Sequence, residues 1–84
     1  MEILYTARFL RSLKKLTAYI QDDVIIAIGK FKQTKNHNQI KLHKLSGEMK
    51  GYSAFSANYR YRVIVKMEKK VAYCMDVSTH DVYR

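Results

Sequence analysis

The sequence contains few of the patterns that would indicate a secreted, membrane-bound or metal-binding protein. It has one cysteine, Cys74, so no internal disulfide can form, which agrees with a reducing compartment. Neither CxxC nor HExxH occurs, and we therefore expect neither a structural zinc site nor a small-molecule cofactor. The longest apolar run, residues 24–28, is far too short to span a membrane. Because Met1-Glu2 opens no secretory signal, we expect a cytoplasmic protein without a membrane role.

Acidic residues are also scarce. The 84-residue chain has seven Asp and Glu against sixteen Lys and Arg, which gives a formal net charge of +9. This excess favours association with a polyanion, such as nucleic acid or an acidic segment of a protein partner. Hydrophobic residues make up 48% and charged residues 27%, which is typical of an ordered globular protein. The length accommodates one small domain, which we assign to residues 1–84.

Residues 59–66 alternate between apolar and cationic side chains, which predicts a strand with two different faces. The apolar face is predicted to lie on a core, because aromatic and β-branched residues favour half-buried strand positions. The cationic face would then be held rigidly, and arginine suits a phosphate because its planar fork matches two phosphate oxygens. The alternative is that this cationic face binds nothing and is simply exposed to solvent. The apolar face consists of Tyr59, Tyr61, Val63 and Val65, and the other of Arg60, Arg62, Ile64 and Lys66.

Hydrophobic periodicity predicts two helices before this strand and further strands around it. Thr6 is a plausible N-cap for a helix over about residues 7–16, and a second helix is expected over about residues 18–32. Two-residue alternation predicts strands at residues 2–5, 52–57, 59–66 and 71–77. We therefore predict an α+β fold in which an N-terminal strand and a two-helix hairpin pack on one face of a curved, mainly antiparallel four-stranded sheet.

This β-α-α-β-β-β order, together with five short phrases, resembles the RelE/ParE superfamily of bacterial toxins over nearly the whole chain. The resemblance implies a single RelE-like domain that acts as the toxin of a type II toxin–antitoxin pair. RelE-like members cut mRNA in the ribosomal A site, whereas ParE-like members inhibit DNA gyrase. The phrases are residues 9–16 (FLRSLKKL), 45–47 (LSG), 50–52 (KGY), 61–65 (YRVIV) and 78–83 (STHDVY).

The resemblance to the RelE branch also implies catalytic residues. The arginine of the Tyr-Arg-Val phrase, Arg62, would contact the scissile phosphate. His80, just before the C-terminal Val-Tyr phrase, would act as general acid, and Tyr83 would stack on or orient a nucleotide. In the YafQ-like subgroup a histidine stands four residues before the glycine of the Leu-x-Gly phrase. Here His43 stands four residues before Gly47 and is the candidate general base.

Such a set suits RNA cleavage that needs no metal. The 2′-hydroxyl must lose a proton, the 5′-oxygen must gain one as it leaves, and imidazole serves either step because it titrates near neutrality. A fixed cation such as Arg62 would stabilise the charge that develops on the phosphorane. The partners implied are mRNA on the 70S ribosome and a cognate antitoxin that is acidic where it touches the basic face. The candidate RNA-binding residues are Lys44, Lys50, Tyr52 and Arg60.

The sequence departs from the family patterns at several positions. Ser53 and Phe55 align with two lysines of RelE, and Ser56 aligns with a second YafQ-type histidine. The interval between His80 and Tyr83 is one residue shorter than usual. Two other functions therefore stay open, namely a ParE-like gyrase inhibitor and a degenerate toxin that only binds its antitoxin or RNA. A further alternative is that His43, the candidate base, is only an exposed surface residue, because its neighbours in the chain are basic.

Overall fold

The computed structural model describes residues 1–79. The candidates His80 and Tyr83 lie outside the described residues, so their roles stay predictions from sequence. In the described part, two α-helices and five strands follow one another, with short 3₁₀ turns at Thr34–Asn36 and Gly47–Met49. The elements are β1 (Glu2–Tyr5), α1 (Ala7–Lys14), α2 (Ala18–Phe31), β2 (His43–Lys44), β3 (Ser53–Ser56), β4 (Tyr61–Glu68) and β5 (Val71–Thr79).

The strands form one mixed sheet in the order β1-β5-β4-β3-β2. β1 runs parallel to β5, and the other neighbours pair antiparallel. The predicted α+β class and the two helices against a mainly antiparallel sheet are confirmed, but the sheet has five strands rather than four. The additional strand, β2, has only two residues, and two residues are too few to show an alternating pattern.

The hydrophobic core lies between α1, α2 and one face of the sheet. The alternation predicted for β4 is confirmed, because Val63 and Val65 are fully buried among core residues. Phe31 of α2 stacks on Phe55 of β3, with ring centroids 4.8 Å apart. Within residues 1–79, neither helix combines the length and the apolar character that a membrane crossing would need. Cys74 is buried in this core, and burial raises the pKa of its thiol to about 12.

The turn between β3 and β4 is longer than the alternation indicated. Asn58 lies in this turn, and its side-chain oxygen accepts hydrogen bonds from the backbone N–H groups of Arg60 and Tyr61. These bonds keep residues 57–60 out of the strand, which begins at Tyr61. The prediction that Tyr59 faces the core is therefore wrong: its side chain is 93% exposed at the turn. Side chains such as Asn58 stabilise turns by exactly this local bonding to the backbone, at the expense of the strand.

Thr6 fixes the start of α1 and joins it to β5. Its hydroxyl oxygen accepts from the N–H of Phe9 at 3.2 Å, and the hydroxyl donates to the carbonyl of Cys74 at 2.9 Å. We expect Thr6→Ala to lower the free energy of unfolding by about 1–2 kcal/mol, measured by urea denaturation. Thr17 is the matched control, because it is the N-cap of α2 but makes no side-chain capping bond. An equal loss in Thr17→Ala would contradict this explanation.

Candidate nucleic-acid site

The sheet face opposite the helices carries three of the predicted site residues, His43, Tyr52 and Arg62. We call it the free face. Strand register places its side chains in rows that cross the sheet, because directly paired residues share a face. In the register of β2 to β5, His43, Ala54, Ile64 and Asp76 form one row. The neighbouring rows are Tyr52, Lys66 and Tyr73 on one side and Ser56, Arg62 and Ser78 on the other.

Arg62 lies in the middle of this face and is only 7% exposed. The sequence predicted that Arg62 lies on the cationic face of its strand. The structure confirms that face, although the side chain is largely buried rather than solvated. A guanidinium keeps its charge when buried, because its positive charge is delocalised over three nitrogens and the group does not lose its proton in proteins. Burial also lowers the local dielectric, which strengthens its attraction to an anion that approaches it. Arg62 is thus a rigid cation near the centre of the face.

His43 lies on the free face at the edge strand β2, with an exposed side chain. Its Nδ1 lies 2.9 Å from the carbonyl oxygen of Lys41. A carbonyl oxygen only accepts, so this contact assigns the proton of the neutral ring to Nδ1 and leaves the lone pair on Nε2. Lys41 is held in a left-handed backbone conformation, with φ of 59°, which turns its carbonyl toward the ring. The imidazole therefore presents a nitrogen that can accept a proton.

Three of the four predicted RNA-binding residues line one open cavity of about 550 Å³, which we call the lysine cavity. Its walls come from residues 44–47 and 50–53 together with Met67, so the two phrases LSG and KGY enclose it. Gly47 and Gly51 have φ of 64° and 98°, values at which a side chain would strain the backbone. These turns bring the contributing side chains together. They are Lys44, Lys50 and Tyr52.

Tyr52 lines the lysine cavity and contacts a further cation. Its ring lies under the ammonium of Lys66, 6.0 Å from nitrogen to ring centroid, across the β3–β4 pair. Lys66 also forms an ion pair of 3.3 Å with Glu68. The arrangement adds a cation beside the lysine cavity that the family phrases did not indicate. It also holds an aromatic ring where a nucleobase can stack.

A second cavity, of about 290 Å³, lies on the other side of Tyr52, and we call it the Arg8 cavity. Sequence reasoning did not indicate it. The Nε of Arg8 lies 3.3 Å from Oδ2 of Asp76, whose Oδ1 accepts from the hydroxyl of Ser12 at 2.6 Å and from the N–H of Val77 at 2.9 Å. A β-bulge next to Ile64 and Val65 accompanies this cluster. No local pattern could have indicated contacts between residues so distant in the chain.

Arg60, the remaining predicted RNA-binding residue, lies apart from these cavities. Arg60 is exposed on the β3–β4 turn, where its guanidinium lies 5.9 Å from the ring centroid of Tyr61. His37 bonds through Nε2 to the carbonyl of Phe31 at 2.8 Å and stacks on that ring, so it caps the end of α2. Ser53 and Phe55, the positions aligned with the RelE lysines, are buried on the core side of β3, although Ser53 also lines the wall of the lysine cavity. A side chain there could not reach the free face.

Solved structures share this whole arrangement of elements. The YoeB/ParE toxin from Agrobacterium tumefaciens matches with a TM-score of 0.78 and 16% identity, over 95% of this chain and 99% of that chain. The chain has the fold of the RelE/ParE toxins. YafQ from E. coli strain BL21(DE3) matches the same RelE/ParE fold with a TM-score of 0.72 and 16% identity, over 96% of this chain and 94% of that chain.

Complexes with antitoxins are among these structures. The RelBE2 toxin–antitoxin complex from Mycobacterium tuberculosis matches with a TM-score of 0.68 and 17% identity, over 93% of this chain and 95% of that chain. No protein-family model matches the sequence. No curated protein matches it either. The RelE/ParE fold implied by the sequence phrases is thus confirmed by structure rather than by overall sequence similarity.

Proposed function

We propose that this protein is the toxin of a type II toxin–antitoxin system and cuts mRNA in the ribosomal A site. The observation that carries the proposal is the free face itself, which carries a buried arginine and an imidazole with an accessible base nitrogen and borders a lysine-lined cavity. The alternative of a gyrase inhibitor would have no need of an imidazole oriented for proton transfer. The fold shared with YoeB/ParE, YafQ and RelBE2 agrees with this assignment.

In the proposed reaction, Nε2 of His43 accepts the proton of the 2′-hydroxyl. The oxygen then attacks the adjacent phosphorus, and Arg62 stabilises the negative charge of the phosphorane. His80, assigned from sequence alone, donates a proton to the departing 5′-oxygen. The products are a 2′,3′-cyclic phosphate and a free 5′-hydroxyl. Lys44 and Lys50 hold the flanking phosphates in the lysine cavity, and Tyr52 stacks on a base.

We also propose an antitoxin partner that covers the lysine cavity. The net charge of +9 and the position of the lysines favour an acidic segment at this place. The RelBE2 and YoeB–YefM structures are toxin–antitoxin complexes of proteins with the same fold. An extended or helical segment that orders on binding would block mRNA from the same groups.

The first experiment is primer extension on a defined mRNA incubated with the purified protein, with and without translating 70S ribosomes. We expect cuts within the A-site codon that require the ribosome and disappear in His80→Ala. Absence of cleavage in both conditions would contradict the nuclease. Inhibition of DNA gyrase supercoiling in a parallel assay would then favour the ParE-like alternative, and lack of both activities would favour a protein that only binds.

A further inference from the structure

A hollow of about 480 Å³ lies beside the end of β3 that the short strand β2 does not cover, and we call it the edge pocket. One wall is a face of α2, the opposite wall is residues 56–59, and residues 39–41 lie between them. The N–H of Ser56 donates to the carbonyl of Ile40 at 2.8 Å, which holds the last two segments together. A pocket of this volume is large enough for one nucleotide.

The charge of the edge pocket favours an anion. Lys30, which is half-buried, and Lys41 both line it, and within residues 1–79 neither ammonium forms an ion pair. The carboxylate of Asp23, which also lines the pocket, accepts a hydrogen bond from the side-chain amide of Asn58 at 3.0 Å. Asp23 lies two helical turns before Lys30, roughly 10 Å along the axis of α2. A phosphate at Lys30 would therefore lie away from that carboxylate.

Tyr59 gives the edge pocket an aromatic surface. It is 93% exposed, yet the turn that carries it is fixed. The side-chain oxygen of Asn58 accepts from the N–H groups of residues 60 and 61, and the side-chain amide donates to Asp23 of α2. Because the backbone is already ordered, a base that stacks on the ring would cost little further entropy of the turn.

The edge pocket adjoins the residues that we assigned to RNA cleavage. Ser56 lines the pocket and pairs directly with Arg62, which places their Cβ atoms about 5 Å apart. Lys41 also lines the pocket, and its carbonyl oxygen lies 2.9 Å from Nδ1 of His43. The lysine cavity lies at the other end of β3, beside Ser53, roughly 10 Å along the strand from Ser56. An RNA strand with a phosphate at Arg62 can therefore extend toward both.

We propose that the edge pocket binds the nucleotide next to the cut in the RNA strand, with its base stacked on Tyr59 and its phosphate at Lys30 and Lys41. Stacking accepts any base, because every base has a π-face, so the pocket should strengthen binding without selecting a sequence. The inference rests on the proposed function in taking RNA as the ligand and Arg62 as the contact of the scissile phosphate.

The test is binding of non-cleavable oligoadenylates, from trinucleotide to heptanucleotide, followed by fluorescence anisotropy without ribosomes. Their riboses carry 2′-O-methyl groups, so the attacking hydroxyl is absent. We expect the affinity to rise about ten-fold at the length that first fills the edge pocket, and Tyr59→Ala to remove this rise. Tyr59→Phe should retain the rise, because the ring is kept. The matched control is Tyr19→Ala, since Tyr19 is 77% exposed on α2 but does not line the pocket.

Lys30→Gln tests the phosphate contact. It should reduce the slope of the logarithm of affinity against the logarithm of salt concentration by about 0.7, the contribution of one phosphate in a single strand. Lys32→Gln removes the same charge two residues further along the chain, outside the edge pocket, and should leave the slope nearly unchanged. Equal changes in the two variants would show a general effect of charge and would overturn the phosphate contact. Thermal unfolding confirms that each variant is folded.

The outcomes separate the edge pocket from the nuclease and from other occupants. A length-dependent rise that requires Tyr59, with no ribosomal cleavage, would support the pocket and reject the nuclease. An undiminished rise in Tyr59→Ala would overturn the pocket, whether or not the protein cleaves mRNA. The same holds if Tyr59→Ala lowers only the affinity for 70S ribosomes or for a polyglutamate peptide, because the occupant would then be ribosomal RNA or an acidic protein segment.

Discussion

Replacing Arg62 by Gln is expected to lower the rate of ribosome-dependent mRNA cleavage by about 10²–10³-fold, the typical effect of removing one fixed group that stabilises transition-state charge. Glutamine retains hydrogen-bonding capacity but not the charge that the phosphorane requires. Arg62→Lys should recover only part of the activity, because an ammonium cannot contact two phosphate oxygens in the fork geometry of a guanidinium. The measurement is the single-turnover rate of A-site cleavage.

Because Arg62 is only 7% exposed, its substitution also tests packing. Thermal unfolding of each variant therefore accompanies the kinetics, and rates are compared only among variants that are folded at the assay temperature. Arg60→Gln is the comparison on the neighbouring turn, and we expect a much smaller loss there because the structure places Arg60 outside both cavities. Full activity in a folded Arg62→Gln protein would refute the assigned role.

His43→Gln is expected to slow the same reaction by about 10²–10⁴-fold, the usual contribution of a general base. Glutamine keeps hydrogen-bonding capacity but cannot accept the hydroxyl proton. The affinity for a non-cleavable RNA should therefore stay close to that of the wild type, which distinguishes a base from a residue that merely binds RNA. The single-turnover rate of A-site cleavage and that affinity are the two measurements.

His37→Gln provides the matched control for this experiment. His37 contacts the end of α2 rather than the free face, so its loss should lower the melting temperature without changing the rate of cleavage by folded protein. If His43→Gln cleaves RNA at an unchanged rate, His43 is only a surface residue, the alternative left open by its basic neighbours.

The sequence predicted those parts of the fold that repeat over several residues. Helical spacing located α1 and α2 to within two residues at each end, and alternation assigned Val63 and Val65 to the core. Alternation placed the start of β4 at Tyr59, two residues before its observed start at Tyr61, because the bonds from the Asn58 side chain compete locally with the sheet. A two-residue strand such as β2 carries no period and could not have been predicted in this way.

The site was predicted only in part because strand faces depend on register. The lysine alignment indicated Ser53 and Phe55, but pairing with Val65 and Val63 turns both toward the core, and a shift of one residue would reverse every side chain. Lys44, Lys50 and Tyr52 line one cavity because they lie within or next to two neighbouring phrases of the chain. The link between Arg8 and Asp76 joins residues 68 positions apart, and such a contact follows from the fold, not from any local signal.

The parallel pairing of β1 with β5 has a consequence for synthesis of the protein. Glu2 pairs with Val71 and Tyr5 with Cys74, so the first strand has no partner until almost all of the described chain has been made. Contacts this distant in sequence form late, after the entropy of closing a long loop has been overcome. The same closure anchors Thr6 and α1, and with α1 the Arg8 cavity. A nascent chain that has not reached residue 71 therefore lacks both β5 and the partner of β1, so the complete free face forms only near the end of synthesis.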